Sequence, residues 1–125
     1  MIELTDDKDA IKIGRRAFRD VYPLSYKDLE LFEIKALKDK EIIGAVFYKG
    51  PEVHVSILPK YRRRWMSKRI IREILKTPFD RFGYAVTMGF EKDRDFLERI
   101  GFKPQSKINE VTYYRIMPWE YLPQL

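Results

Sequence analysis

The stretch Glu52–Leu75, EVHVSILPKYRRRWMSKRIIREIL, limits what this chain can fold into more than any other. Val53, Val55 and Ile57 alternate with Glu52, His54 and Ser56. That period of two predicts a half-buried strand whose three apolar residues face the core. Pro59 has no N–H to give to a ladder, so the strand is expected to stop before it. Beyond the proline, Met66, Ile70 and Ile74 recur every fourth residue, with Ile71 and Leu75 alongside. This spacing predicts an amphipathic helix. Lys60, Arg62, Arg63 and Arg64 fill the turn between the two elements. A helix start has N–H groups without intrahelical partners and the positive end of the dipole. An arginine-rich turn at such a start therefore points to an anion.

Composition narrows the possibilities. The chain has 125 residues, and one domain over 1–125 is the simplest organisation, with no linker or repeat. A hydrophobic share of 45% is enough for a core. With no cysteine there is no disulfide framework, thiolate nucleophile or thiolate metal ligand, and one histidine argues against an imidazole metal site. There is no apolar run of the roughly 18 residues a membrane span needs. The acidic start MIELTDDKDA is unlike a signal peptide, so a cytoplasmic location is expected. A net charge of +6 and a pI near 9.5 favour an anionic partner: nucleotide phosphates, nucleic acid or an acidic protein surface.

Taken in order, Ile2–Leu4 reads as a short strand. Thr5 followed by Asp6, Asp7 and Asp9 reads as a capped helix start, with the helix running to about Val21 and ended by Pro23. Ser25–Asp28 suggests another cap and a short helical turn. Leu31–Leu37 and Glu41–Tyr48 predict an antiparallel hairpin around Lys38–Lys40. After the basic helix, Thr77–Pro78 is expected to be a stop. Tyr84–Met88 reads as a buried strand. Lys92–Ile100 reads as a helix with Phe96, Leu97 and Ile100 inward and Gly101 just past its end. Phe102–Ser106 and Val111–Met117 predict two final strands joined around Asn109, and the aromatic tail from Trp119 is expected to pack on the body.

Two segments carry a family resemblance. Pro59-Lys60-Tyr61-Arg62-Arg63-Arg64-Trp65-Met66-Ser67 resembles the pyrophosphate loop of the GNAT superfamily of acyl-CoA N-acyltransferases. Arg62 matches that motif's first position and Ser67 its last small residue, while Trp65 stands where its first glycine belongs. Phe96-Leu97-Glu98-Arg99-Ile100-Gly101-Phe102 resembles the signature of the family's fourth helix, with Leu97 in the place of its tyrosine. Phe90 stands where an asparagine is common. The element order matches as well. The resemblance implies an α+β, GNAT-like fold: a splayed mixed sheet of six to seven strands with helices on both faces.

It also implies chemistry. An amine would attack the thioester of acetyl-CoA, with phosphates cradled by the backbone of Arg62, Arg63, Arg64, Trp65, Met66 and Ser67. The carbonyl would be polarised by an N–H near Ile57. Glu52 and His54, and further off Glu91, are the candidate bases, His54 having an ordinary pKa suited to neutral pH. With Leu97 unable to donate a proton, Tyr113 and Tyr114 are the candidate acids. Each residue has a plainer reading: a hydrogen-bonded structural histidine, a solvated glutamate, a packing tryptophan.

Two other functions fit the same residues. One is a GNAT-fold protein without catalysis that binds a protein partner. The length and the FLERIG segment resemble small acetyltransferase-like proteins of tailed bacteriophages, which implies a virion-associated location for that alternative. The other is nucleic-acid binding through Arg64, Lys68 and Arg72 on one helix face, with Arg69 and Lys76 nearby.

Overall fold

The computed structural model describes residues 1–7, 9, 12, 31–61 and 66–121. Seven strands form one mixed sheet in the order β1-β2-β3-β4-β5-β7-β6. They are β1 (Glu3–Thr5), β2 (Glu33–Asp39), β3 (Glu41–Lys49), β4 (Glu52–Ile57), β5 (Ala85–Gly89), β6 (Lys103–Ile108) and β7 (Val111–Ile116). The α-helices with described bounds are α1 (Lys68–Phe82), α2 (Arg94–Ile100) and α3 (Pro118–Tyr121). The chain divides into two compact units, Met1–Lys49 with His54–Ile74 and Gly50–Val53 with Leu75–Leu125. The division falls inside β4 and inside α1.

In the first unit, β1 pairs antiparallel with β2, and β2 with β3. Lys40 makes the tight β2–β3 turn at a φ of 62°. The register between β2 and β3 shifts between Leu37 and Lys38, which pair with Gly44 and Ile42 and leave Ile43 as an extra residue. Ile43 O then accepts the Leu58 N–H at 2.9 Å. One face of β3 carries Ala45 and Phe47, clustered with Phe32 and Ile34. The other carries Tyr48, whose hydroxyl donates to Ile74 O of α1 at 2.7 Å.

That last bond explains a departure from expectation. Thr77–Pro78 was expected to end the helix, yet α1 continues through a fully buried Pro78 to Phe82. A proline inside a helix cannot donate to the carbonyl four residues back, which here is Ile74 O. The Tyr48 hydroxyl supplies that carbonyl with a donor. Ile70, Ile71, Ile74 and Leu75 are buried as the stripe requires, whereas Met66 precedes the helix and is exposed.

In the second unit β5 pairs antiparallel with β7, and β7 with β6. Leu97 and Ile100 of α2 are buried with Phe102, Tyr114 and Ile116. Gly101 ends α2 at a φ of 123°, its N–H shared between Leu97 O and Glu98 O. Only a glycine fits there, because a Cβ would also sit 2.8 Å from Glu120 O.

Smaller differences follow from competing local forces. Thr5 belongs to β1, and it is Asp7 Oδ1 that accepts the Asp9 N–H at 2.9 Å, with Asp9 and Lys12 helical. The Lys92–Ile100 helix is split into a 3₁₀ turn, Glu91–Asp93, and α2, because Asp93 Oδ2 accepts the Phe90 N–H at 2.9 Å. Phe96 lies on the solvent side of α2, and Trp119 is 66% exposed rather than packed on the body. The expected end of the first helix at Val21, the cap at Ser25–Asp28 and the turn residues Arg62–Trp65 lie outside the described residues.

Tyr48→Phe removes the donor to Ile74 O. It should cost about 1–3 kcal/mol of unfolding free energy. In a Pro78→Ala background, where residue 78 regains its N–H, the same change should cost far less. Denaturant melts of the four proteins in a double-mutant cycle check this; equal costs in both backgrounds would refute it.

Candidate functional site

Strand β4 is the organising element of the site. The alternation predicts one apolar and one polar face, but the strand is buried on both. His54 is 6% exposed and Ser56 4% exposed, alongside buried Val53 and Ile57. The reason lies in the first unit. The His54 ring packs edge-on to Phe32 at 5.7 Å, and Phe32 packs edge-on to Phe47 at 6.3 Å. The aromatic cluster thus covers the face that the sequence assigns to solvent. Lys49 Nζ lies over the Phe32 ring, 5.2 Å from its centre.

The approach of β3 to β4 is set by Gly44. A Cβ there would lie 2.4 Å from Ser56 O and 2.8 Å from Ile57 Cδ1. The two-residue turn Gly50–Pro51 and the Leu58-to-Ile43 bond imply one register. It sets Ser56 across from Ala45 and His54 across from Phe47. Leu58 turns its N–H toward β3. Peptide groups along a strand alternate between its edges, so Ile57 turns its N–H to the edge away from β3. Pro51 has the same parity, and its carbonyl accepts the Val86 N–H of β5 at 2.9 Å. The β4–β5 register is the single parallel pair Glu52↔Val86.

One buried polar atom stands out. Among the described residues, Ser56 Oγ has no hydrogen-bond partner. Leaving a buried hydroxyl unpaired costs about 1–3 kcal/mol. Native structures keep few such groups, and each asks for an explanation.

The remaining expected site residues are placed as follows. Glu52 is half-buried at the start of β4. Arg62, Arg63, Arg64 and Trp65 lie outside the described residues, so the proposed phosphate cradle is represented by Met66 and Ser67 alone. Ser67 is the N-cap of α1: its Oγ accepts the Ile70 N–H at 3.2 Å and its carbonyl accepts the Ile71 N–H at 3.1 Å. Lys68, Arg72 and Lys76 are exposed on α1, while Arg69 is held by Glu73 at 3.0 Å and by Ile2 O. Glu91 is exposed, 3.9 Å from Arg94.

On β7 the two tyrosines diverge. Tyr113 is 38% exposed and Tyr114 is buried. Burial pushes the Tyr114 phenol above its ordinary pKa, against the opposing charge of Arg94. Leu97 is a core residue, its Cδ1 within 3.0 Å of where a Gly89 Cβ would be. Among the described residues there is no cluster of His, Asp or Glu able to hold a metal ion. No described helix is long and apolar enough to cross a membrane.

Sequence reasoning passed over Ser56. The signal was present, because Ser56 shares its strand face with Glu52 and His54. Nothing in the sequence showed that this face is buried.

Solved structures of GNAT N-acetyltransferases share the fold. A spermidine N-acetyltransferase from Vibrio cholerae superposes with a TM-score of 0.73 at 15% identity, over 97% of this chain and 96% of that one. The ribosomal-protein-S18-alanine N-acetyltransferase from Escherichia coli gives 0.70 at 10% identity, over 94% of each chain. The PaiA N-acetyltransferase from Thermoplasma acidophilum, in complex with coenzyme A, gives 0.68 at 12% identity, over 94% and 99%. No protein-family model and no curated protein matches the chain. The α+β, GNAT-like fold is thereby shown, with the seven-stranded mixed sheet as its frame.

Gly44→Ala forces a Cβ into the backbone of β4. It should destabilise the chain by about 2 kcal/mol or more, read as a lowered melting temperature. Gly83→Ala, at a turn with open space around it but a φ of 82°, should cost about 1 kcal/mol. A Gly44→Ala cost no larger than that of Gly83→Ala would show that the approach of β3 to β4 is not tight.

Proposed function

We propose that this chain is an acyl-CoA-dependent N-acyltransferase of GNAT type, taking acetyl-CoA as donor and a primary amine as acceptor. The observation that carries the reading is the fold likeness across nearly the whole chain to proteins named as N-acetyltransferases, one of them holding coenzyme A. On β4 the Ile57 N–H is turned to the edge away from β3, and this is the edge to which we assign the acyl carbonyl. Ser67 and the basic residues from Arg62 to Arg64 would hold the phosphates. The bound donor supplies an acyl group activated as a thioester.

The Ile57 N–H stabilises the charge that grows on the acyl oxygen. His54 accepts the proton of the attacking amine. Distance along the strand favours it over Glu52. At about 3.3 Å per residue, His54 lies roughly 10 Å along the strand from Ile57, and Glu52 roughly 16 Å. A base must come within hydrogen-bond reach directly or through one water, which favours His54. Tyr113 is the proposed proton donor to the leaving thiolate, since Tyr114 is buried and Leu97 has no proton to give.

A second reading keeps acetyl-CoA binding but not turnover, in a GNAT-fold protein that serves a protein assembly. The burial of Leu97, in the place of the family's tyrosine, favours it.

Thermal melting with acetyl-CoA at 100 times its Kd should raise stability by about 2.7 kcal/mol. Thiol release should then follow on adding spermidine or a peptide beginning with alanine. His54→Ala should lower kcat/KM by about 10²–10⁴ without abolishing the acetyl-CoA shift. A shift without thiol release for any amine would select the second reading. No shift at millimolar acetyl-CoA would sink both.

A further inference from the structure

In the second unit, one face of β5, β7 and β6 carries a cation that the fold does not use. The other face is the core face, where Tyr114 and Ile116 are buried with Leu97 and Ile100 of α2. The register puts Val86, Arg115 and Lys103 in one row across the three strands, and Met88, Tyr113 and Ser106 in the next. Arg115, Lys103, Tyr113 and Ser106 are exposed there. Like charges set directly opposite on a sheet repel, yet Lys103 and Arg115 are direct cross-strand partners. Glu120 answers only one of them. Its Oε2 lies 2.7 Å from Lys103 Nζ, and its Oε1 accepts the Met117 N–H at 3.0 Å. The Lys103 hydrogen bond is the main cause that holds the Glu120 carboxyl below its ordinary pKa, and Arg115 contributes least. Arg115 makes no side-chain hydrogen bond or ion pair among the described residues. Glu52 continues the row beyond Val86, roughly 10 Å from Arg115 at two strand spacings, and has an interaction of its own.

We infer that Arg115 selects the acceptor by binding an anionic group, a carboxylate or a phosphate, at the far end of the amine that takes the acyl group. This rests on the acyl-CoA reading above and names the substrate class for that same site. Tyr113 is assigned there to the leaving thiolate, and the amine attacks the carbon bonded to that sulfur. Arg115 follows Tyr113 by two residues on the same strand face, about 6.6 Å further along β7. A short amine attacking beside Tyr113 therefore brings its other end to Arg115. The planar guanidinium matches a carboxylate or phosphate with paired N–H donors. A polyamine would bring a second ammonium against the same cation. The net charge of +6 works in the same direction at long range, drawing in anions and repelling polycations.

The test measures thiol release from acetyl-CoA with acceptors of one chain length and different ends. These are γ-aminobutyrate with a carboxylate, n-butylamine with a methyl group and putrescine with a second ammonium. Wild type should show a kcat/KM about ten-fold higher for γ-aminobutyrate than for n-butylamine, the worth of one charge-assisted hydrogen bond partly screened by solvent. Putrescine should be the poorest of the three. Arg115→Gln should level the carboxylate and methyl acceptors, and Arg115→Glu should turn the preference toward putrescine. Both variants should melt with wild type and bind acetyl-CoA equally well, because Arg115 is an exposed residue. Lys107→Glu makes the same change of net charge on the opposite face of β6 and should leave the wild-type ranking intact. Phosphoethanolamine is the phosphate arm: an Arg115-dependent kcat/KM above that of γ-aminobutyrate identifies the anion as phosphate, and one below it as carboxylate.

Thiol release at equal kcat/KM for all three ends would overturn this inference alone. So would a carboxylate preference that survives Arg115→Gln, or one that Lys107→Glu reverses as fully as Arg115→Glu, since net charge would then explain it. Thiol release from none of the acceptors would sink the transfer reading and this one with it.

Discussion

The close contact of β3 with β4 at Gly44 is the constraint on which the rest of the site depends. With no side chain at that position, the β3 backbone lies against Ser56 and Ile57. The extra residue Ile43 lets β3 shift register against β2 and still give its carbonyl to Leu58. These two features fix which edge of β4 each peptide group faces. The orientation of the Ile57 N–H follows from them.

Around this contact the first unit is layered by aromatic side chains. Phe32 meets both Phe47 and His54 edge-on along one face of β4. Tyr48 crosses from the other face to the Ile74 carbonyl and permits a proline inside α1. The two faces therefore hold β4 between an aromatic cluster and a helix.

The departures from the GNAT sequence pattern have unequal weight once placed. Leu97 is a core side chain, so its site cannot deliver a proton to anything. Phe90 is built into a turn in which its N–H is taken by Asp93. These two residues stand where the family commonly has a tyrosine and an asparagine. His54 and Ser56 lie on one face of that strand, where the sequence shows only an alternating pattern.

By itself the sequence determined the order of the strands and of the helices among the described residues. Periods of two and of four residues survive in any context, and Gly101, Asn109 and Lys40 mark turns through backbone preferences that are local. The resemblance at Arg62 and at the FLERIG segment was legible for the same reason, since both are short contiguous strings. What the tertiary structure alone decided was burial and pairing at a distance. The Pro78 stop was overruled by Tyr48, thirty residues away in sequence. The solvent face of β4 became an interior face because Phe32 and Phe47 converge on it. The lone Ser56 hydroxyl has meaning only when its surroundings are known. Local propensity can be read from neighbours in the chain, whereas the satisfaction of a buried polar atom depends on groups that only folding brings together.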